Sequence, residues 1–201
     1  MPRHHVIISG TGRAGTTFLV QLLTELGLET GFPKGQVIDT KSRAGMELDI
    51  RDANAPYVIK SPWLCDYLDD VLQGREIMID HAFIPMRDLY SAAQSRRHVS
   101  GAASSNPTNV PGGLWHTTKP EEQESVLTGQ LYQLMYALAK HDVPVSLLLF
   151  PRLVSDPDYL YKKTKFLLGS LGYDAFKETF QSISRPELVH NFNSSQESNA
   201  D

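Results

Sequence analysis

Cysteine is almost missing. The 201 residues contain one, Cys65, so the chain has no means of forming an intrachain disulfide or a thiolate-ligated metal cluster. Flanked by Leu64 and Leu68, that thiol is expected to be a packed, unreactive helix residue. A basic excess is missing too, because 19 Lys and Arg stand against 23 Asp and Glu, a formal net charge of -4. Generic nucleic-acid binding draws on a surplus of cations and is disfavoured, although a local basic pocket is compatible with this balance. No apolar run approaches the length that spans a bilayer. "MPRHH" leads straight into a strand pattern without the basic-then-apolar order of a signal peptide. The expectation is a cytoplasmic protein with no membrane span. No HxxxH pair, carboxylate triad or cysteine set is found, and no metal site is expected.

What is present is ordinary globular composition, 41% hydrophobic and 21% charged. The length suits one domain, expected over residues 1–185, with a polar tail over 186–201 that ends "NSSQESNAD". "HVIISG" is a β-branched run ending at glycine, as in a buried parallel strand, and "TTFLVQLLTELG" has helical spacing with Gly27 at its C-cap. Residues 29–55 show no period and read as an irregular excursion carrying a short turn or helix. Strand patterns at "YVIK", "HAFIPMRD" and "VSLLLF" alternate with helical ones. These are "PWLCDYLDDVL", "LYSAAQSRRHV", residues 120–140 and "DPDYLYKKTKFLLGSLG". Alternation of this kind predicts a three-layer α/β fold with a mainly parallel central sheet; the glycine-rich turn after its first strand adds the expectation that the fold is nucleotide-binding and P-loop-containing.

The turn between the first strand and the first helix is Gly10-Thr11-Gly12-Arg13-Ala14-Gly15-Thr16-Thr17. A glycine-rich turn in that place points backbone N–H groups into one concavity at the positive end of a helix dipole, which makes an anion site. The ATP-type fingerprint GxxxxGK[ST] is met at Gly10, Gly15 and Thr17, but Thr16 stands in the lysine position and the cation has moved to Arg13. A hydroxyl cannot replace an ammonium between two phosphates, so ordinary kinase or ATPase chemistry is disfavoured.

Arg13-Ala14-Gly15-Thr16-Thr17 resembles the nucleotide loop of sulfotransferases, [KR]-[SAT]-G-[ST]-[ST], and looks like the compact bacterial type. The resemblance implies 3′-phosphoadenosine 5′-phosphosulfate (PAPS) as donor, its 5′ phosphosulfate held by Gly12, Arg13, Ala14, Gly15, Thr16 and Thr17. It also implies an arginine and a serine eight positions apart for the 3′-phosphate, matched by Arg87 and Ser95 in "IPMRDLYSAAQSR". Eight residues bring a helical side chain back, two turns on, toward the strand end. Lys60-Ser61-Pro62 resembles a third family element, in which the lysine stabilises charge on the transferring sulfonate. The tail lacks the RKG triplet with which the cytosolic animal enzymes complete the 3′-phosphate site.

The acceptor must lose a proton, so a general base is expected near the sulfonate. In related enzymes it is a histidine or a glutamate. Here the candidates are Glu47, favoured because "RAGMELD" is a context that can bury a carboxylate and raise its pKa, and His81; Glu29 is also available. Arg13 and Lys60 would stabilise the transition-state charge. Arg152, at the mouth of "LLLFPRLVSDPDYL", either approaches the cofactor or partners Asp156 at a helix cap. The stretch 101–119, rich in Gly, Ser, Pro and Asn yet carrying Leu114 and Trp115, is a candidate lid. The expected partner is a small-molecule or glycan acceptor. The competing readings are a P-loop kinase with a displaced cation and a nucleotide-binding module without catalysis.

Overall fold

The computed structural model of the chain describes residues 1–38, 44–102, 112–189 and 192. Among them lies a four-stranded, all-parallel sheet of order β2-β1-β3-β4, made of β1 (Arg3–Ile8), β2 (Val58–Lys60), β3 (Ile77–Met86) and β4 (Val145–Leu149). Period-two alternation assigns its two faces. Val6 and Ile8 of β1, Val58 of β2 and Phe83 of β3 enter one core, while Ile7, Ile59, Ala82 and Ile84 enter the other. The first core is covered by α1 (Thr16–Glu25), by the short α5 (Arg152–Ser155), and by α6 (Pro157–Thr164) and α7 (Tyr173–Ile183). The second is covered by α2 (Leu64–Gln73) and α4 (Gln123–Lys140). The α3 helix (Leu89–Ala102) packs on α4. The result is the three-layer α/β arrangement expected from the alternating patterns.

Helix ends follow their local chemistry. Gly27, at φ 88°, closes α1: its N–H reaches the Thr24 carbonyl at 2.9 Å and that of Leu28 reaches Leu23 at 2.9 Å, the paired bonds of a Schellman motif. Asp88 caps α3 by accepting from the Ser91 N–H at 2.9 Å. Asp156 accepts from the Tyr159 N–H with Pro157 in the first turn of α6.

Three elements differ from the sequence expectation. β3 begins at Ile77, four residues before "HAFIPMRD", because Ile77 and Ile79 already point into the core while Met78 and Asp80 face outward. Pro62 precedes α2 instead of entering it, since Trp63 is the N-cap. The α7 helix was not expected at all, and it buries Phe176 and Phe180 against α1 and α6. Of residues 29–55, where no period was found, the described ones (29–38 and 44–55) form turns and irregular backbone and no helix.

β1 leads to β2 on one side and β3 leads to β4 on the other, so the sheet's topological switch lies between β1 and β3. Ligand clefts of open parallel sheets form at such a point, outside the carboxyl ends of the strands. Ile8 is opposite Phe83, and β3 continues to Met86, so the residue after it overhangs the turn that follows β1.

Candidate functional site

The glycine turn sits at that switch point. Gly15 is the N-cap of α1 in left-handed conformation, with no side-chain cap and no acidic residue in the first helical turn. The helix therefore presents its first N–H groups without an internal carboxylate to neutralise them. Arg13, at φ 53°, is itself left-handed, a conformation that a side chain resists unless its surroundings impose it. Its Nε donates to Ser95 Oγ at 3.0 Å, and its carbonyl accepts from Arg87 Nη1 at 3.0 Å. Arg13, Arg87 and Ser95, expected at two separate phosphate positions, are thus tied together by one residue.

Arg87 follows β3 directly and is half-buried. Its guanidinium faces the rings of Phe150, at 4.8 Å, and Phe192, at 5.8 Å, and burial lowers its pKa. Phe192 belongs to the stretch expected to be a tail. Its carbonyl accepts from Ser91 Oγ at 3.1 Å, which anchors this point beside Arg87. Residues 190–191 and 193–201 of that stretch lie outside the described residues.

Lys60 ends β2 and is buried, 4% exposed. Its ammonium donates to Thr17 Oγ1 at 2.9 Å, to the Gly45 carbonyl at 2.7 Å and to Glu47 Oε1 at 2.5 Å. These three bonds use its three donors. Burial lowers its pKa, an effect that Glu47 opposes and Arg13 reinforces. Glu47 reaches this place because the irregular segment returns beside β2, where the Leu48 N–H donates to the Lys60 carbonyl at 3.0 Å. The apolar pocket expected around Glu47 is replaced by an ion pair. The ends of β1 and β2 are laced by Ser9 Oγ to the Ser61 carbonyl at 2.8 Å and by the Ser61 N–H to the Ile8 carbonyl at 3.1 Å.

His81 is placed elsewhere. It lies five residues before the end of β3, roughly 16 Å along the strand. Its Nε2 pairs with Ser146 Oγ at 2.9 Å, and its ring packs on Phe83 and Phe166. That is a hydrogen-bonded, half-buried histidine packed among aromatic rings, not one brought to the turn. Arg152 takes the second of its two expected roles, with Nε on Asp156 Oδ2 at 2.9 Å and its guanidinium over the Tyr159 ring at 4.4 Å. The Cys65 thiol is pushed up to about 12 by burial and the neighbouring Asp66, as an unreactive cysteine requires.

Of the candidate lid, residues 103–111 lie outside the described residues. Trp115 is stacked on Trp63, with ring centres 6.5 Å apart, and its backbone is gripped by the buried Gln123 through bonds of 2.7 and 3.2 Å. One residue of the site escaped the sequence analysis. Arg96, next to Ser95, is buried beneath the turn and donates to the Thr11 carbonyl at 2.7 Å. No motif marks it; the burial of a cation on an otherwise small-residue helix face is a property of the folded chain. Arg13, Lys60, Arg87 and Arg96 thus surround the turn, with Glu47 bonded to Lys60. Such a surplus of buried positive charge can hold an anion of more than one charge. Among the described residues no helix is long and apolar enough to cross a membrane, and no cluster of three or more His, Cys, Asp or Glu is placed to hold a metal ion.

No protein-family model matches the chain, and no curated protein matches it by sequence. Among solved structures, the sulfotransferase domain from the curacin biosynthetic pathway superposes with a TM-score of 0.50 at 17% identity. The match covers 86% of this chain and 76% of that one. The likeness is one of fold, and it assigns the chain a P-loop-like α/β architecture.

Proposed function

We propose that the chain is a sulfotransferase that moves a sulfonate group from PAPS to a hydroxyl or amine of a small-molecule or glycan acceptor. The observation that carries this reading is the double engagement of Arg13, whose carbonyl takes a bond from Arg87 while its side chain gives one to Ser95. A turn made for a plain triphosphate has no use for this second cationic position, whereas a donor with phosphates at both 5′ and 3′ ends does. The sulfotransferase neighbour of like fold supports the reading. The donor set fits such a ligand, because the uncapped N–H groups of α1 and four cations outnumber the carboxylate bonded among them.

When bound, the donor supplies an activated sulfonate, whose bond to the 5′-phosphate oxygen breaks as sulfur bonds to the acceptor. The chain's part is electrostatic and positional. The N–H groups of Gly15, Thr16 and Thr17, together with Arg13, face the charge at the 5′ end. Lys60 has no donor to spare, so reaching that charge requires it to release one of its three partners. Releasing Glu47 leaves a carboxylate oxygen able to take the acceptor's proton. Incubation with PAPS and a panel of hydroxyl and amine acceptors tests the reading. Acceptor-dependent release of adenosine 3′,5′-bisphosphate that disappears in Arg13→Ala is expected. Group transfer from ATP instead would replace this reading with a kinase.

A further inference from the structure

Arg96 enters neither the glycine-loop motif nor the steps above, yet its surroundings are those of a working group. Its side chain is enclosed, 4% exposed. Nη2 donates to the Thr11 carbonyl and Nη1 to the Gly113 carbonyl, both at 2.7 Å, so one guanidinium bridges the turn after β1 and the segment that carries Trp115. Nε is buried without a hydrogen-bond partner. Among the described residues no carboxylate pairs with this group, and burial together with the like charge of Arg13 pulls its pKa down to about 10. The guanidinium lies over the Trp115 ring at 5.4 Å, and Trp115 is stacked on Trp63. Gly12 makes this passage under the turn feasible, since a Cβ there would stand 2.5 Å from Arg96 Nη2.

We propose that Arg96 is a positioning residue that couples the anion loop to the Trp115–Trp63 wall, so that an anion in the loop fixes the aromatic side of the cleft for the acceptor. The inference rests on the loop binding an anion, as proposed above. With the loop empty, Arg96 and Arg13 repel each other and the bridge to Thr11 and Gly113 is held against that repulsion. An anion between them supplies the missing countercharge, so it binds best to the arrangement in which the bridge is made. Gln123 holds the Trp115 backbone from the other side, and the response is therefore read in the ring.

Trp63 and Trp115 are the two tryptophans of the chain, so emission excited at the red edge, where tryptophan absorbs and tyrosine does not, reports on this wall alone. Inorganic pyrophosphate is the probe, because it has no ring to touch tryptophan. Binding is followed by thermal shift and emission in parallel, in the wild-type chain and in Trp63→Phe, which isolates Trp115. The expected result is an emission change that saturates with the same midpoint as the thermal shift. The change is lost in Arg96→Met and in Arg96→Lys, because lysine has no fork to bridge two carbonyls. It persists in Arg97→Lys, one residue along α3 and bonded outside the site to Glu124 and Pro120. A thermal shift without an emission change in the wild-type chain overturns the coupling and leaves the proposed function standing, whether or not the Arg96 variants fold. An emission change of full size in Arg96→Met overturns it too, and absence of any pyrophosphate binding overturns both.

Discussion

Lys60 and Arg87 show how a single side chain in this fold serves charge instead of packing. Burial lowers the Lys60 pKa, so its ammonium loses its proton at a lower pH than an ordinary lysine does. Activity that needs this cation is expected to fall on the alkaline side below the usual lysine range. A kcat/KM profile against pH tests this, with Lys60→Arg moving the limb upward; an unmoved limb contradicts the role. Arg87→Ala removes a charge-assisted contact worth about 1.5–3 kcal/mol, and so weakens adenosine 3′,5′-bisphosphate binding about 10- to 150-fold in a titration. Equal binding by this variant would remove Arg87 from the site. His5 illustrates the opposite case, a buried residue serving the fold. Its Nδ1 meets the Pro56 carbonyl at 2.8 Å, and burial lowers its pKa despite that bond. Between the lowered folded pKa and about 6.5 in the unfolded chain, the unfolded state binds more protons, so stability rises with pH in that window and is lost as pH falls through it. Denaturant midpoints measured between pH 5 and 8 should show this slope, shallower in His5→Asn.

At the scale of elements, the turn after β1 and the α1 helix stand or fall together. Gly15 holds φ 86° with Leu153 Cδ1 3.0 Å and Phe150 Cδ2 3.3 Å from where a Cβ would be. Gly15→Ala therefore meets both a backbone penalty of about 1–2 kcal/mol and a side-chain clash. A thermal melt should drop, and an unchanged melt would mean that the turn adopts another conformation. Much of this element was legible, because glycines between an apolar run and an amphipathic one leave the chain few alternatives. Arg87 and Ser95 were singled out on the family resemblance, and the fold brings both onto Arg13. Glu47 and Lys60 were both singled out, but their pairing depends on how an aperiodic segment returns to β2, which no local pattern encodes. His81 misled because a histidine in an apolar run reads the same whether it faces a cleft or the Phe83–Phe166 cluster. The α7 helix carried a usable signal, Phe176, Phe180 and Ile183 at helical spacing, and it was obscured by the polar stretch that follows. Phe176→Ala tests its weight, with a loss of about 3–5 kcal/mol expected for a fully buried ring. A loss below 1 kcal/mol would show that α7 is not part of the core.

For the whole molecule, charge is distributed unevenly: a chain of net charge -4 gathers four cations around one turn at the sheet's switch point. Under the proposed function this arrangement holds a nucleotide phosphorylated at both 5′ and 3′ positions. The measurement that tests this most directly is a thermal-shift titration with adenosine 3′,5′-bisphosphate, compared with AMP, ADP and magnesium ATP at equal concentration. Binding stabilises the folded chain as RT ln(1 + [L]/Kd), about 2.7 kcal/mol at a hundredfold excess over Kd. A clear shift is expected for the 3′,5′-bisphosphate, with much smaller shifts for the other three and loss of that preference in Arg87→Ala. Equal shifts for all four nucleotides, or a larger one for magnesium ATP, would contradict the proposed function.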